Sequence, residues 1–381
     1  NHDHEQRSWG QVKSGYTHFA ENDIVVAKIT PCFQNRKSAI VRGLANGYGA
    51  GTTELHVIRP LSEWLSNRYL LYLFKTEHFI HNGCLVMTGT AGQQRVGRDY
   101  FENLLVPLPP YAEQQRIVAK LEEILPQIDK LQAVEEELAK LQDEFPQKLK
   151  NSLLQAAIQG KLTEQLPEDG DARELLVEIE AEKKRLIKEA KIKKPKPLPA
   201  ITQDEIPFDI PENWTWSRLG ICLDVRDGTH DTPKYVSTGV PLLTSKNLSK
   251  GTLDFDNVKH ISEEDAQLIN ERSQVDMSDI LFAMIGSIGN PVLVKNTRDF
   301  CIKNVALFKP VNNTLEMRYV LYFLMLAQAD MKVNASGAVQ SFVSLTYLRG
   351  YLVPLPPLSE QQRIVAKLEE LLPLCDVLDV Q

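Results

Sequence analysis

The chain lacks an excess of positive charge: its 381 residues hold 43 Lys and Arg against 50 Asp and Glu, a formal net charge of −7. That balance excludes a histone-like protein that grips nucleic acid by bulk charge, and leaves room for a small, placed set of basic contacts. Cysteine is scarce: Cys32, Cys84, Cys222, Cys301 and Cys375 are scattered, form no CxxC and have no histidine at metal-ligand spacing. An odd, dispersed set points to reduced core thiols in a cytosolic protein rather than a disulfide framework or a zinc site. Long apolar runs are missing as well. The longest, Tyr319 to Ala327, is about half of what a bilayer crossing needs, and no charged-then-apolar opening marks the chain for export. The expectation is a cytoplasmic protein with no membrane partner.

Catalytic signatures are also missing. There is no P-loop, GxSxG, HExxH or strand-borne GxGxxG. GYGAG at 47–51 lacks the spacing and following helix of a dinucleotide site, and no cluster of carboxylates with a lysine suggests a metal-dependent nuclease. LPPY at 108–111 echoes the loop by which adenine methyltransferases hold a flipped base, but Leu108 stands where a polar residue must be. The prolines read instead as a stop ahead of a helix. His2 and His4 sit at the start of the chain and are not read as a metal site. No catalytic residue, metal ligand or cofactor is expected on the chain, which reads as a binding protein.

What the chain does have is a repeat. LLVPLPPYAEQQRIVAKLEEILPQIDKL at 104–131 matches YLVPLPPLSEQQRIVAKLEELLPLCDVL at 351–378, with 21 of 28 positions identical at a fixed offset of 247. Weaker echoes precede each copy: NDIVVAKI at 22–29 with SDILFAMI at 278–285, RYLLY at 68–72 with RYVLY at 318–322, and TGTAGQQRV at 88–96 with NASGAVQSFV at 334–343. The chain is a duplication whose module bodies have diverged while their ends have not. That pattern suggests a shared architectural duty and separate recognition duties. The second copy opens with IPENWTWSRLG at 210, well ahead of SDILF, whereas NDIVV begins at 22, so about 40 or more residues of the first copy are expected ahead of Asn1. The helix after the second copy stops at Gln381 where its counterpart runs on.

Each module body reads as mixed α/β. Short β-branched runs at Ile24–Val26, Ala39–Val41, Val292–Val294 and Val305–Phe308 alternate with Gly, Asn and Pro. One amphipathic helix in each holds the RYxLY segment. A strongly helical stretch follows from Glu113 to about Lys194, and its apolar residues Ile117, Leu121, Ile124, Ile128 and Leu131 keep coiled-coil spacing. Val134, Leu138, Leu141 and Phe145 continue the seam after a stammer, and Ile364, Leu368, Leu371, Cys375 and Leu378 repeat it. The two seams are expected to pair antiparallel, with a kink at Pro126 and at Pro373. Such a rod would be roughly 50 Å long, more than one turn of DNA. A helix at Ala172–Lys194 ends in the basic run KKRLIKEAKIKKPK at 183–196, which is either a solvated helix end or a contact for phosphates or an acidic partner.

Two divergent modules, each closed by VPLPPxxEQQRIVxKLE, strongly resemble the specificity subunits of type I DNA restriction–modification systems. GKLTEQ at 160–165, PENWTWSRLG at 211–220 and DGTHDTPKY at 227–235 add to the likeness, which covers nearly the whole chain. The resemblance implies an α+β fold with a pseudo-two-fold repeat, in which long antiparallel coiled-coil helices separate two mixed α/β target-recognition domains. The implied domains are 1–103 for the first recognition domain, 104–200 for the central helical region, 201–350 for the second recognition domain and 351–381 for the C-terminal helical region. The implied role is non-catalytic: reading a bipartite, asymmetric double-stranded DNA target while docking two methyltransferase subunits and the restriction subunits. S-adenosylmethionine, ATP and Mg would then lie on those partners, in the cytoplasm of a prokaryote.

Base reading needs paired donors and acceptors, and phosphate contacts need cations or turn N–H groups. In the second module these are offered by Thr229, His230, Thr232, Lys234 and Tyr235, by Thr244, Ser245, Lys246 and Asn247, and by Ser287 and Asn290. Lys303 and Asn304 follow, then Ser336, Gly337, Gln340 and Ser341 in a Gly-containing loop. In the first module the matching places are Lys28, Thr30, Gln34, Asn35, Arg36 and Lys37, then Thr52 and Thr53, then Gln93, Gln94 and Arg95. The aligned loops differ, which predicts unlike half-sites. Two other readings share these features: the recognition portion of a fused restriction–methyltransferase enzyme, with catalytic motifs upstream, and a helical scaffold that binds protein.

Overall fold

A computed structural model describes residues 5–378 except 91, 250, 296–297 and 336–340, with only the backbone of Ser249. The chain divides into two compact units, Asn1–Ala139 and Lys140–Gln381.

The first unit opens with α1 (Trp9–Val12) and β1 (Thr17–Ala20), followed by β2 (Ile24–Ala27), β3 (Ser38–Ile40), β4 (Tyr48–Gly51) and β5 (Leu55–Ile58). Strands β3, β2 and β5 form one antiparallel sheet with β2 in the middle, and β1 pairs with β4. Ile24 and Val26 of the central strand alternate onto a core made by Phe33, Leu70, Phe74, Phe79, Ile80 and Val96. The RYLLY segment lies on α2 (Asn67–Leu73), and α3 (Glu77–Leu85) begins after a break, because Thr76 caps it by accepting from Phe79 N–H. A short α4 (Arg98–Glu102) precedes α5 (Tyr111–Ile158), whose residues belong to both units.

The second unit continues with α6 (Ala172–Lys188), β6 (Thr215–Arg218), α7 (Leu219–Cys222), β7 (Leu223–Asp227), β8 (Tyr235–Val236) and β9 (Val240–Leu243). Next come β10 (Leu248–Ser249), β11 (Thr252–Leu253), β12 (Lys259–Ile261), α8 (Glu263–Ser273), β13 (Ile280–Ala283), β14 (Gly289–Leu293), β15 (Cys301–Ile302) and β16 (Val305–Pro310). The unit closes with α9 (Met317–Val333), α10 (Leu345–Gly350), β17 (Leu352–Leu355) and α11 (Leu358–Leu378). Two four-stranded sheets dominate, in the orders β14-β13-β16-β7 and β15-β9-β12-β8. All four residues of β13 are buried: Ile280 and Phe282 join one core cluster and Leu281 joins the other. Burial on both faces explains why this strand reads as an unbroken apolar run.

Helix α6 ends at Lys188, short of the expected Lys194. Ala190 takes a left-handed φ of 56°, and Lys191 N–H bonds back to Leu186 O at 2.9 Å, the 6→1 bond of a Schellman motif. In the basic run that follows Glu182, Lys184 pairs with Glu180, and Arg185 pairs with Glu182 and Glu189. Lys183 is turned inward instead, donating to Gly220 O at 2.8 Å and Leu223 O at 2.9 Å. Burial lowers its pKa to about 8.

Helix α11 runs antiparallel to the end of α5. Lys150 meets Asp376 at 2.6 Å, and Leu154, Ala157 and Ile158 share a core with Ile364, Val365 and Leu368. The partner stretch on α5 is therefore Lys150–Ile158, C-terminal to the seam read from the sequence, because Leu153, Leu154, Ala157 and Ile158 give it a wider apolar face. On α11, Ile364, Leu368 and Cys375 are buried, Leu371 is half-buried and Leu378 is exposed; on α5, Leu121 is half-buried and Ile117 marginally exposed. Ile124, Ile128, Leu131, Val134, Leu138, Leu141 and Phe145 are exposed. Both Pro126 and Pro373 lie inside continuous helices. The five cysteines are free thiols: Cys222, Cys301 and Cys375 are buried, while Cys32 and Cys84 are half-buried. Burial pushes Cys222 and Cys301 up to about 11. Among the described residues no helix is long and apolar enough to cross a membrane, and no group of three or more His, Cys, Asp or Glu could hold a metal ion.

Candidate nucleic-acid interface

The repeat in the sequence is also a repeat of hydrogen bonds. Gln114, on α5, accepts from Ser66 N–H at 2.9 Å and donates to Pro109 O at 2.9 Å. Gln361, its counterpart on α11, accepts from Glu316 N–H at 2.9 Å and donates to Pro356 O at 2.8 Å. Tyr69 donates its hydroxyl to Pro107 O, and Tyr319 does the same to Pro354 O. Arg68 pairs with Glu122 as Arg318 pairs with Glu369. These latches tie the RYxLY helix to the EQQR helix in each unit, so the near-identical segment holds a frame and leaves the loops at the sheet ends free to vary.

The start of each central strand is built alike. Asn22 and Ser278 take left-handed φ values of 68° and 70°, and the next residue, Asp23 or Asp279, is buried and paired with Arg59 or Lys309. At Asp23 burial pushes the carboxyl upward, but Arg59's two bonds and Ala20 N–H outweigh it and hold the group below the ordinary range. At Asp279 burial prevails and the carboxyl is raised.

At the other end of these sheets the variable loops gather. In the second unit Asp227 at the end of β7 lies opposite Ala306, Val305 at the start of β16 opposite Ala283, and Ala283 at the end of β13 opposite Gly289. The loops after β7 and β13, and those before β14 and β16, consequently share one sheet edge. Loop 228–232 is knitted to 302–304: Thr229 N–H donates to Ile302 O, Asn304 N–H to Thr229 O, and Lys303 Nζ bonds Thr232 Oγ1. Ser245 Oγ reaches Asn304 O at 3.4 Å.

His230, just after the outer strand β7, joins the two loops. Its Nδ1 is 2.9 Å from Asn304 Oδ1 and its Nε2 is 2.8 Å from Asp227 Oδ2. Both neighbours favour the imidazolium: Asn304 first and Asp227 second raise the pKa above the ordinary histidine value, while partial burial and Arg272 oppose them. Arg272, at the end of α8, bonds the other Asp227 oxygen.

The first unit has the equivalent edge. Loops 28–37 and 52–54 leave the same end of the β3-β2-β5 sheet, since Ala27 pairs with Leu55 and Val26 with Ser38. Thr30 N–H donates to Gln94 O, Gln94 N–H returns to Thr30 Oγ1, and Arg95 forks onto Glu54 at 2.8 Å. The Ile29–Arg95 bridge matches the Ile285–Phe342 bridge of the second unit. One edge thus carries an ion-paired arginine where the other carries an exposed phenylalanine.

Of the residues expected from sequence, Thr229, His230, Thr232, Ser245, Lys303 and Asn304 come together in one cluster, while Lys234 and Lys246 are exposed nearby and Tyr235 is exposed at the start of β8. Thr244 and Asn247 bond each other, and Asn247 is buried with its amide engaged by Thr244 and by Asp254 O, so it supports the loop from within. Ser287, Asn290 and Ser341 lie in a second group at the end of β13, where Gly286 N–H reaches Ser341 O. Ser336, Gly337 and Gln340 lie outside the described residues. In the first unit Lys28, Thr30, Gln94 and Arg95 are half-buried, and Gln34, Asn35, Arg36, Lys37, Thr52, Thr53 and Gln93 are exposed. Asp227, Arg272 and Glu54 were not anticipated; Asp227 stood within DGTHDTPKY, whereas nothing in the sequence ties Arg272 to it across 45 residues.

A profile of the type I restriction modification DNA specificity domain matches residues 3–140 and 211–376. The chain belongs to this family. It is 37% identical to the type I restriction enzyme EcoAI specificity subunit of Escherichia coli and 34% identical to the EcoEI specificity subunit of the same species; each alignment spans 99% of this chain and 72% of the relative. The crystal structure of the HsdS subunit from Thermoanaerobacter tengcongensis superposes with a TM-score of 0.50 at 21% identity, over 94% of this chain and 75% of that one, and shows the shared fold. The specificity subunit is the DNA-recognising, non-catalytic member of a type I restriction–modification complex, so DNA and the other subunits are its partners.

Proposed function

We propose that this specificity subunit reads a bipartite, asymmetric double-stranded DNA target, one half with each sheet-end loop surface. The recognition domains are then 1–103 and 201–350, and the helical regions 104–200 and 351–381 hold them at a set spacing and dock two methyltransferase subunits and the restriction subunits. S-adenosylmethionine, ATP and Mg lie on those partners, and the complex works in the cytoplasm of a prokaryote. The observation that carries the reading is the pairing of two identically latched frames with two differently furnished loop edges. His230, Asn304, Lys303 and Thr229 supply donors and acceptors at one edge, and Lys28, Gln93, Gln94 and Arg95 at the other.

The test is to co-purify the full-length chain with its methyltransferase and map methylated adenines across a genome. A split motif with unlike halves is expected. A stable, active complex that methylates without any motif would sink the reading.

A further inference from the structure

The loop edge of the second unit holds an amide whose outward polarity is set by a neighbour. Asn304 has a left-handed backbone, φ 55°, fixed by its N–H on Thr229 O at 3.1 Å and by Ser245 Oγ on its carbonyl. Its Oδ1 faces His230 Nδ1, while its Nδ2 has no partner among the described residues and is not buried. An asparagine side chain carries one acceptor atom and one donor atom, so whichever meets the ring leaves the other turned to solvent.

We propose that Asn304 determines which base edge this module accepts, and that His230 decides whether Asn304 offers a donor or an acceptor. The proposal rests on the reading of this loop edge as the DNA-facing one. Asp227 makes the coupling one-to-one. Its carboxylate can only accept, so His230 Nε2 keeps its proton toward Oδ2 and titration takes place at Nδ1. With Nδ1 protonated, Asn304 gives Oδ1 to the ring and presents Nδ2, a donor that suits guanine O6 and N7, thymine O4 or adenine N7 and finds no acceptor on cytosine. With Nδ1 bare, the amide turns over about its soft terminal torsion, donates Nδ2 to the ring and presents Oδ1, an acceptor that suits adenine N6 or cytosine N4. The charged groups facing the ring are Asp227 from β7 and Arg272 from α8, with Lys303 beside Asn304 held on Thr232. In the present orientation Asn304 favours the protonated ring most and Asp227 next, while partial burial and Arg272 oppose it.

The test selects random duplexes with the full-length chain and its methyltransferase at about pH 5 and about pH 8, the span over which histidine charge changes. One position in the half-site read by residues 201–350 should accept G or T at the lower pH and exchange them for C or A at the higher, with the G-to-C and T-to-C ratios each changing by on the order of tenfold. Asn304→Asp, which presents only acceptors, should keep A or C at both values, and Asn304→Leu should erase the preference there while the rest of the motif stands. In the DNA-free chain labelled with 15N-histidine, His230 Nδ1 should titrate while Nε2 stays protonated. The same base at both pH values in the wild type overturns the proposal, as does an unchanged motif in Asn304→Leu. A wild-type complex that enriches no motif at either pH overturns this proposal together with the DNA reading. A split motif that ignores pH overturns the proposal alone.

Discussion

Gln361 is fully buried, and both ends of its amide are engaged, with Glu316 N–H on one side and Pro356 O on the other. Replacing it by leucine leaves two main-chain groups unpaired inside the frame. Gln361→Leu should therefore cost about 1–3 kcal/mol in urea unfolding, while the exposed neighbour change Gln362→Leu should stay within about 0.5 kcal/mol. The repeat of EQQR was visible in the sequence. Which of its two glutamines points inward was not, because identity between copies does not reveal the side of the helix. Asp169 offers a second test. The Arg363 guanidinium holds its carboxyl down to about 2 from an ordinary 3.8. The folded state thus binds fewer protons than the unfolded one, so this contribution is complete above pH 3.8 and is lost as pH falls through about 2. The stability advantage of wild type over Asp169→Asn should shrink across that interval in acid titrations followed by circular dichroism. Among the loop residues, donor and acceptor chemistry pointed to His230, Lys303 and Asn304. It could not point to Arg272, whose place beside Asp227 is a product of tertiary packing.

Strands and helices were legible wherever their periodicity was local. The runs at Ile24–Val26 and Val305–Phe308 lie on β2 and β16, and the RYxLY segments lie on α2 and α9. The break between α2 and α3 depends on the cap at Thr76, and the early end of α6 on the left-handed Ala190; both are single-residue effects that periodicity averages away. The partner stretch of α11 on α5 was missed for a different reason: the heptad seam is regular, but the stretch at 150–158 offers more apolar width. At this scale the central strand β13 is the critical element of the second unit. Phe282 is fully buried and packs edge-on to Phe308, with ring centroids 6.2 Å apart. Phe282→Ala should lower stability by about 3–5 kcal/mol, measured by denaturant midpoint, through the cavity it leaves.

For the molecule as a whole, the duplication was the most legible feature and the net charge the most easily misread. A charge of −7 argues against indiscriminate binding only. The chain alone should bind DNA weakly, with affinity falling steeply as salt rises, and should gain strength when its methyltransferase joins; fluorescence anisotropy over a salt series measures both. Exchanging residues 201–350 for another recognition module should change one half of the methylation motif and leave the other. Inserting seven residues within 134–145 should alter or abolish the preferred spacing between halves, and indifference to that insertion would remove the ruler role from α5.

The latches have a consequence for inheritance. Each consists of partners that recur at matching places, and the 28-residue segments that carry the EQQR side of them agree at 21 positions. A genetic crossover anywhere within that stretch joins the body of one module to the helix of the other, and Gln114 or Gln361 still finds a main-chain N–H and a proline carbonyl waiting. Lineages can therefore reshuffle what is read without redesigning how the reader is held.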